Sequence, residues 1–185
     1  MSNKYSFLGG AQGMWQVAQM KTVRGPGLEH VERINVVYGD LLQVPADTAW
    51  VLHGFTSNVR YAVRTEVDIL QACQPELDRP EASCAALIPI KKSARWWALP
   101  QDERREIFEE TSHHTAIGVE YLPAVARRLH HCRDIAEPFD FLTWFEYAAE
   151  HSQLFEDLVL RLRATKEWDF VEREIDIRLT RIDNS

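Results

Sequence analysis

The amino-acid sequence predicts an α+β fold, a duplicated unit whose antiparallel strands carry helices on one side. Three observations lead there. The chain divides into two stretches of similar size, each mixing strand-like and helix-like segments. The clearest helix, 150–164, places His151, Leu154, Phe155, Leu158 and Leu162 at helical spacing. The clearest strand, 168–180, alternates Ile175, Ile177 and Leu179 with Glu174, Asp176 and Arg178, which predicts one buried face and one wet face.

In order, 15–20 (WQVAQM) has partial strand character. The β-branched run 31–38 reads as a strand that stops at the Gly39-Asp40 turn pair, and 48–55 (TAWVLHGF) as another. Residues 64–73 read as a helix with Val67 and Leu70 on one side. The apolar run 84–91 reads as a buried strand, and its proline favours an edge or a strand end. The charged segment 100–110 reads as a helix with proline at its first turn, where the missing N–H costs little. Segments 124–132 and 139–147 read as strands. The division between halves is expected near Lys91 to Ser93, giving units 1–91 and 92–185. No long linker or low-complexity segment interrupts them.

Composition narrows the function. The chain of 185 residues is 45% hydrophobic and 26% charged, ordinary for a folded protein. Its net charge of −7 comes without a basic stripe, so nucleic acid is not expected as a partner. A small anion would be repelled by the whole, so a site for one must be locally positive. The three cysteines, Cys73, Cys84 and Cys132, lack a CxxC pair, which argues against a structural disulfide or a cysteine-built zinc site. No secretory leader is visible, and no apolar run approaches the ~20 residues of a membrane span. A cytoplasmic protein that does not enter membranes is the expectation.

The chemistry-bearing residues cluster in 113–128, read together with Glu167. Adjacent residues on a strand face opposite ways, so one of Arg127 and Arg128 faces inward. If it is Arg127, then Leu129 shares its face, and Thr143 and Phe145 do so on the next strand, forming a wall with one cation among apolar and hydroxyl groups. Most arginines are simply exposed, and so are most glutamates like Glu167. The side chains of His113 and His114 diverge, and zinc would need further ligands at suitable spacing. Haem needs only one protein ligand and suits this inventory better. Glu167 could accept the Nδ1 proton of His114, aiming Nε2 at iron and making the ring more electron-donating.

Several segments in order carry a resemblance: KKSARWWALP from Lys91, SHH from Ser112, EYLP from Glu120, RRL from Arg127, EPFDFLTWFE from Glu137 and EREIDIRL from Glu172. Together they resemble the chlorite dismutase family, most strongly from about Ser83 to Arg181, and in particular its short branch with a trimmed N-terminal half. The resemblance implies a dimeric α+β barrel built from two ferredoxin-like halves with antiparallel sheets, haem b in the C-terminal half, and a homodimer. It implies a chlorite O2-lyase that converts chlorite to chloride and dioxygen via ferryl haem and a trapped hypochlorite fragment. His114 matches the iron ligand, Glu167 its hydrogen-bond partner, Arg127 the anion-holding arginine, and Leu129, Thr143 and Phe145 the pocket wall. Lys92 and Trp96 match the region beside the haem and its propionates, and Ile88 an apolar haem contact. Asn58 and Tyr61 are weaker matches, and Gln74 is a polar partner for Arg127 at the pocket mouth. The same scaffold leaves open a coproporphyrin-haem decarboxylase, kept in view by Tyr61 and Tyr121, a non-catalytic haem-binding or sensing protein, and a haem-free monooxygenase.

Overall fold

The computed structural model describes residues 3–56 and 61–182. Strands β1 (Lys4–Gly10), β2 (Trp15–Arg24), β3 (Arg33–Tyr38) and β4 (Thr48–Phe55) follow one another without an intervening helix, and helix α1 (Arg64–Cys73) leads on to β5 (Cys84–Lys92). Helices α2 (Ala94–Ala98), α3 (Gln101–Arg105) and α4 (His114–Glu120) precede β6 (Val125–His131) and β7 (Phe141–Tyr147). Helix α5 (Ser152–Arg163) precedes β8 (Val171–Arg181).

The strands close into one barrel in the order β1-β3-β2-β8-β5-β7-β6-β4, with antiparallel pairing. This order contains the duplication. The first set runs β4-β1-β3-β2, and the second runs β8-β5-β7-β6, the same fourth-first-third-second pattern. The second set has helices in both crossovers, the β-α-β-β-α-β plan of a ferredoxin-like unit, whereas the first has none between its strands. The expected division at 91–93 falls at the end of β5, a strand that the order groups with β6, β7 and β8.

Alternation sorts the side chains into two cores. Phe7, Ile34, Leu52, Leu87, Leu142, Trp144, Ile175 and Ile177 fill the lumen, as expected for a barrel of this size. Ala86, Ile88, Phe145 and Tyr147, on the outward face of the same strands, pack with Phe155, Leu158 and Leu162 of α5. The candidate site's cavity lies on this outward, helix-covered face.

Several sequence expectations are corrected. The start of the last predicted strand, Trp168 to Phe170, belongs to a 3-10 turn spanning Lys166–Phe170. The face of β8 expected to be wet is buried: Glu174 is 1% and Asp176 5% exposed. Their charge is matched there, because Arg163 of α5 reaches Glu174 at 2.6 Å and Asp176 at 2.8 Å. Pro89 sits in an internal strand rather than at an edge. It is paired with Leu142 on one side, while the ladder to β8 passes from Leu87 to Ile90, skipping Ile88 and the proline that has no N–H to give. The helix from 101 widens into a π-helical turn at Glu106–Thr111.

Strand β6 presents Arg127 to the helix side and Arg128 and His130 to the lumen, where the His130 ring meets Tyr5 and Phe7. His130 Nδ1 lies 3.0 Å from the Leu142 carbonyl and so donates to it. Burial, helped by the charge of Arg128, pushes His130 down to about 4 from an ordinary 6.5. The folded ring stays neutral where the unfolded one gains a proton. Stability is therefore full above pH 6.5 and falls as pH drops from 6.5 towards 4. The loss expected from this group is about 3 kcal/mol. Denaturant melts across that range should show it, and His130→Asn, which keeps a donor but cannot titrate, should flatten that segment of the curve.

Candidate functional site

A cavity of about 360 Å³ lies between the outward face of β5, β6 and β7 and helices α1, α4 and α5. His114 opens α4 and lines it. The run around His114 showed no clean period in the sequence, yet it is helical because the fold caps it. Glu109 accepts hydrogen bonds from the Thr115 N–H at 2.7 Å and the Ala116 N–H at 3.3 Å, placing a carboxylate at the positive end of the helix. His113 just before it takes a left-handed conformation (φ 52°) and is exposed, so the two histidines do diverge.

His114 is held on three sides. Its Nδ1 lies 2.6 Å from Glu167 Oε2. Phe108 stacks on the ring with centroids 4.4 Å apart, and Trp168 lies parallel at 6.4 Å. Glu167 is 4% exposed, and its other oxygen accepts from Lys92 Nζ at 2.6 Å. Its backbone N–H donates to Ser112 Oγ at 2.9 Å. Burial alone would raise the Glu167 carboxyl, but the charges and hydrogen bonds of His114 and Lys92 outweigh it and hold the group at about 2. The carboxylate is thus ionised and can only accept, so His114 Nδ1 carries a proton. In the neutral ring the lone pair is on Nε2, the nitrogen turned away from Glu167, towards the cavity.

Arg127 stands on the sheet wall. Its strand neighbour in register is Phe145, and Leu129 pairs with Thr143, so the four side chains line the cavity together. Among the described residues its guanidinium has no carboxylate partner, and burial alone pushes it down to about 10. The group keeps some accessible surface because it borders the cavity, while protein close around it strips away bulk water. It remains charged at neutral pH.

The other expected residues are placed as follows. Ile88, Tyr61 and Trp96 line the cavity. Tyr61 has a left-handed backbone (φ 63°), its carbonyl accepts from Arg105, and its ring lies against Phe108 and Trp96. Gln74 reaches Arg127, but it donates to the backbone carbonyl at 2.9 Å rather than meeting the guanidinium. Lys92, expected beside haem propionates, is 4% exposed and its ammonium is committed to Glu167. Asn58 lies outside the described residues. Sequence reasoning missed Phe108, Ser112, Glu109 and Trp168 as supports of His114. Only Glu109 left a signal, an acidic side chain one turn before a helix start.

The walls suit a flat apolar group that carries its own metal. Ile88, Ile90, Phe108, Phe141, Phe145 and Trp168 supply apolar surface, and one imidazole faces in. Among the described residues no group of three or more His, Cys, Asp or Glu side chains converges on a metal position, so a metal at His114 would bring most of its own ligands. The Trp96 indole N–H is buried with no partner among the described residues, a donor that could meet the acidic edge of such a group.

Comparison with known proteins agrees with this geometry. The chlorite dismutase family model matches residues 29–182. The fold superposes on a dimeric chlorite dismutase from Nitrobacter winogradskyi with a TM-score of 0.90 and 52% identity, covering 96% of this chain and 99% of that one. A variant chlorite dismutase from Candidatus Nitrospira defluvii shares the fold at 21% identity and a TM-score of 0.69, over 97% of this chain and 91% of that one. A chlorite dismutase from Ideonella dechloratans is 37% identical over 62 residues, 34% of this chain and 20% of that protein's length.

Proposed function

The chain belongs to the chlorite dismutase family, and from that premise we propose that it binds haem b and converts chlorite to chloride and dioxygen. The observation that carries this reading is that one cavity is lined by an imidazole fixed by a buried carboxylate and by a guanidinium that has no counter-charge among the described residues. A cation left unpaired away from water calls for an anion, and Arg127 offers one a planar fork of donors.

His114 would hold the iron through Nε2, Trp96 would meet the acidic edge of the porphyrin, and Ile88, Phe108 and Phe145 would pack its faces. Haem, when bound, supplies the redox chemistry that breaks and remakes bonds to oxygen. The chain's residues do the rest. Glu167 fixes the tautomer of His114 and pushes electron density into the ring. Lys92 shares that carboxylate and so tempers the push. Arg127 orients chlorite and keeps the hypochlorite formed from it in the cavity until dioxygen leaves. The apolar lining of Ile88 and Phe145 limits water, which strengthens the hold of Arg127, while Leu129 and Thr143 complete the wall beside it. The dimeric state of the Nitrobacter winogradskyi protein extends to a homodimer here.

The test is an oxygen electrode. Haem titrated into the protein should give a shifted Soret band at one equivalent, and chlorite should then release one dioxygen and one chloride for each chlorite consumed. A Soret shift without dioxygen would leave a haem-binding protein and end the enzymatic reading. Light scattering should give twice the 21.4 kDa chain mass.

A further inference from the structure

Gly118 sits in the interior of α4, one helical turn beyond His114, and is buried. Glycine there is unfavourable for a helix, because it exposes backbone freedom that alanine would remove. The backbone gives no reason for it: the positive-φ glycines are Gly13, Gly25 and Gly39, and Gly118 is not among them. Space does give a reason. A Cβ built at 118 would lie 1.9 Å from Arg127 Nη1 and 2.5 Å from both its Cζ and Nη2, and these are its three nearest atoms. That is about 1.5 Å short of ordinary van der Waals contact. The guanidinium lies in the space where a side chain would be.

We propose that Gly118 is the positioning residue for Arg127: the missing side chain forms the berth that sets where the anion-holding charge stands. The inference rests on the reading of Arg127 as an anion holder, but its geometric core does not. Arg127 is anchored on β6 and its guanidinium reaches across to α4, so the berth ties the charge to the same helix that carries His114. The distance between charge and imidazole is then fixed by one turn of helix rather than by a free four-bond side chain. The two residues between which an anion would be held thus share one rigid support. Any side chain at 118 would evict the guanidinium, because the far end of an arginine moves more readily than a helix.

The test is a cycle of four proteins: the parent, Gly118→Ala, Arg127→Ala and the double variant. Each is loaded with haem and titrated with fluoride, read by absorption, and the parent and Gly118→Ala are also crystallised without haem. The expected result is a guanidinium displaced by more than 1 Å in Gly118→Ala with α4 in place. Fluoride affinity should change at least threefold on adding Gly118→Ala to the parent, and not measurably on adding it to Arg127→Ala. An unmoved guanidinium, or the same affinity change in both backgrounds, would overturn the proposal. If Gly118→Ala alone does not fold, folding of the double variant supports the berth, because removing Arg127 empties it, and misfolding in both overturns it. If Arg127→Ala leaves fluoride affinity unchanged, the anion-holding reading fails separately, and the crystal positions alone decide the role of Gly118.

Discussion

Glu167→Ala should cost about 3–5 kcal/mol of folding stability, because it leaves the Lys92 ammonium buried without its carboxylate. Lys92 Nζ lies 2.6 Å from Glu167 Oε1, and the two side chains are 4% and 5% exposed. Solvent is shut out, and among the described residues Glu167 is the acid that meets the ammonium. The cationic partner, not the lost bond, carries most of the penalty, so Lys92→Met in the Glu167→Ala background should recover much of it. Urea melts of the two single variants and the double would measure the coupling; additive losses would show that the pair is not a unit. The same carboxylate gives an acid limb. Its ordinary value is 4.5 and its folded value about 2, so its contribution is complete above 4.5 and is lost as pH falls towards 2. Glu167→Gln should lack that limb. On haem-loaded protein the same substitution should raise the reduction potential, since a neutral amide draws less on the Nδ1 proton than a carboxylate does. An unchanged potential would mean that His114 is oriented from elsewhere.

That relay was only half legible in the sequence. By itself Glu167 reads as one exposed carboxylate among many, and it could be paired with His114 in advance because the family resemblance matched both. The Lys92 share could not. It joins residues 75 positions apart, and it depends on a 3-10 turn at Lys166–Phe170 whose last three residues were read as the start of a strand. The wall of Arg127, Leu129, Thr143 and Phe145 was legible in part from strand alternation, which groups these residues but leaves open whether Arg127 or Arg128 faces in. The family resemblance selected Arg127, and β6 and β7 pair in the register that sets the four side by side. Helix α4 was hidden, because His-Thr-Ala-Ile-Gly-Val-Glu has weak helix propensity and is held by Glu109 and by packing instead. Strand β1 was missed for a related reason. Ser6, Phe7 and Leu8 are all buried, Ser6 bonding His53 at 2.9 Å, so no polar–apolar alternation marks it. Closure of the barrel runs through that strand, which pairs with both β3 and β4.

Arg127→Ala should leave haem in place and lower chlorite turnover by roughly ten- to a hundredfold, with earlier inactivation. A charge pair about 4 Å apart at an effective dielectric of about 20 is worth roughly 4 kcal/mol before desolvation is subtracted. Arg127 has already lost much of its water, as its value of about 10 shows, so little further desolvation opposes the pair. A residual gain of about 1.4–2.7 kcal/mol corresponds to the stated factor in rate. The substitution lies on the sheet wall and does not touch the His114–Glu167–Lys92 relay, so the Soret band and haem stoichiometry should match the parent. On the proposed mechanism, loss of the cation would let hypochlorite diffuse out before dioxygen forms. The number of chlorite ions consumed before activity dies should therefore fall along with the initial rate. Arg127→Lys separates charge from shape: it keeps the cation as a point charge without the planar fork, and should fall between parent and alanine. The pH response has a definite sign. Arg127 holds its proton throughout the neutral range, so its contribution should be flat there and decline as pH rises towards 10. Hypochlorite can be read directly by adding a chlorine-scavenging dye. Equal rate, equal lifetime and equal dye bleaching in Arg127→Ala and the parent would remove Arg127 from the reaction and leave its unpaired charge to be explained by a different anion.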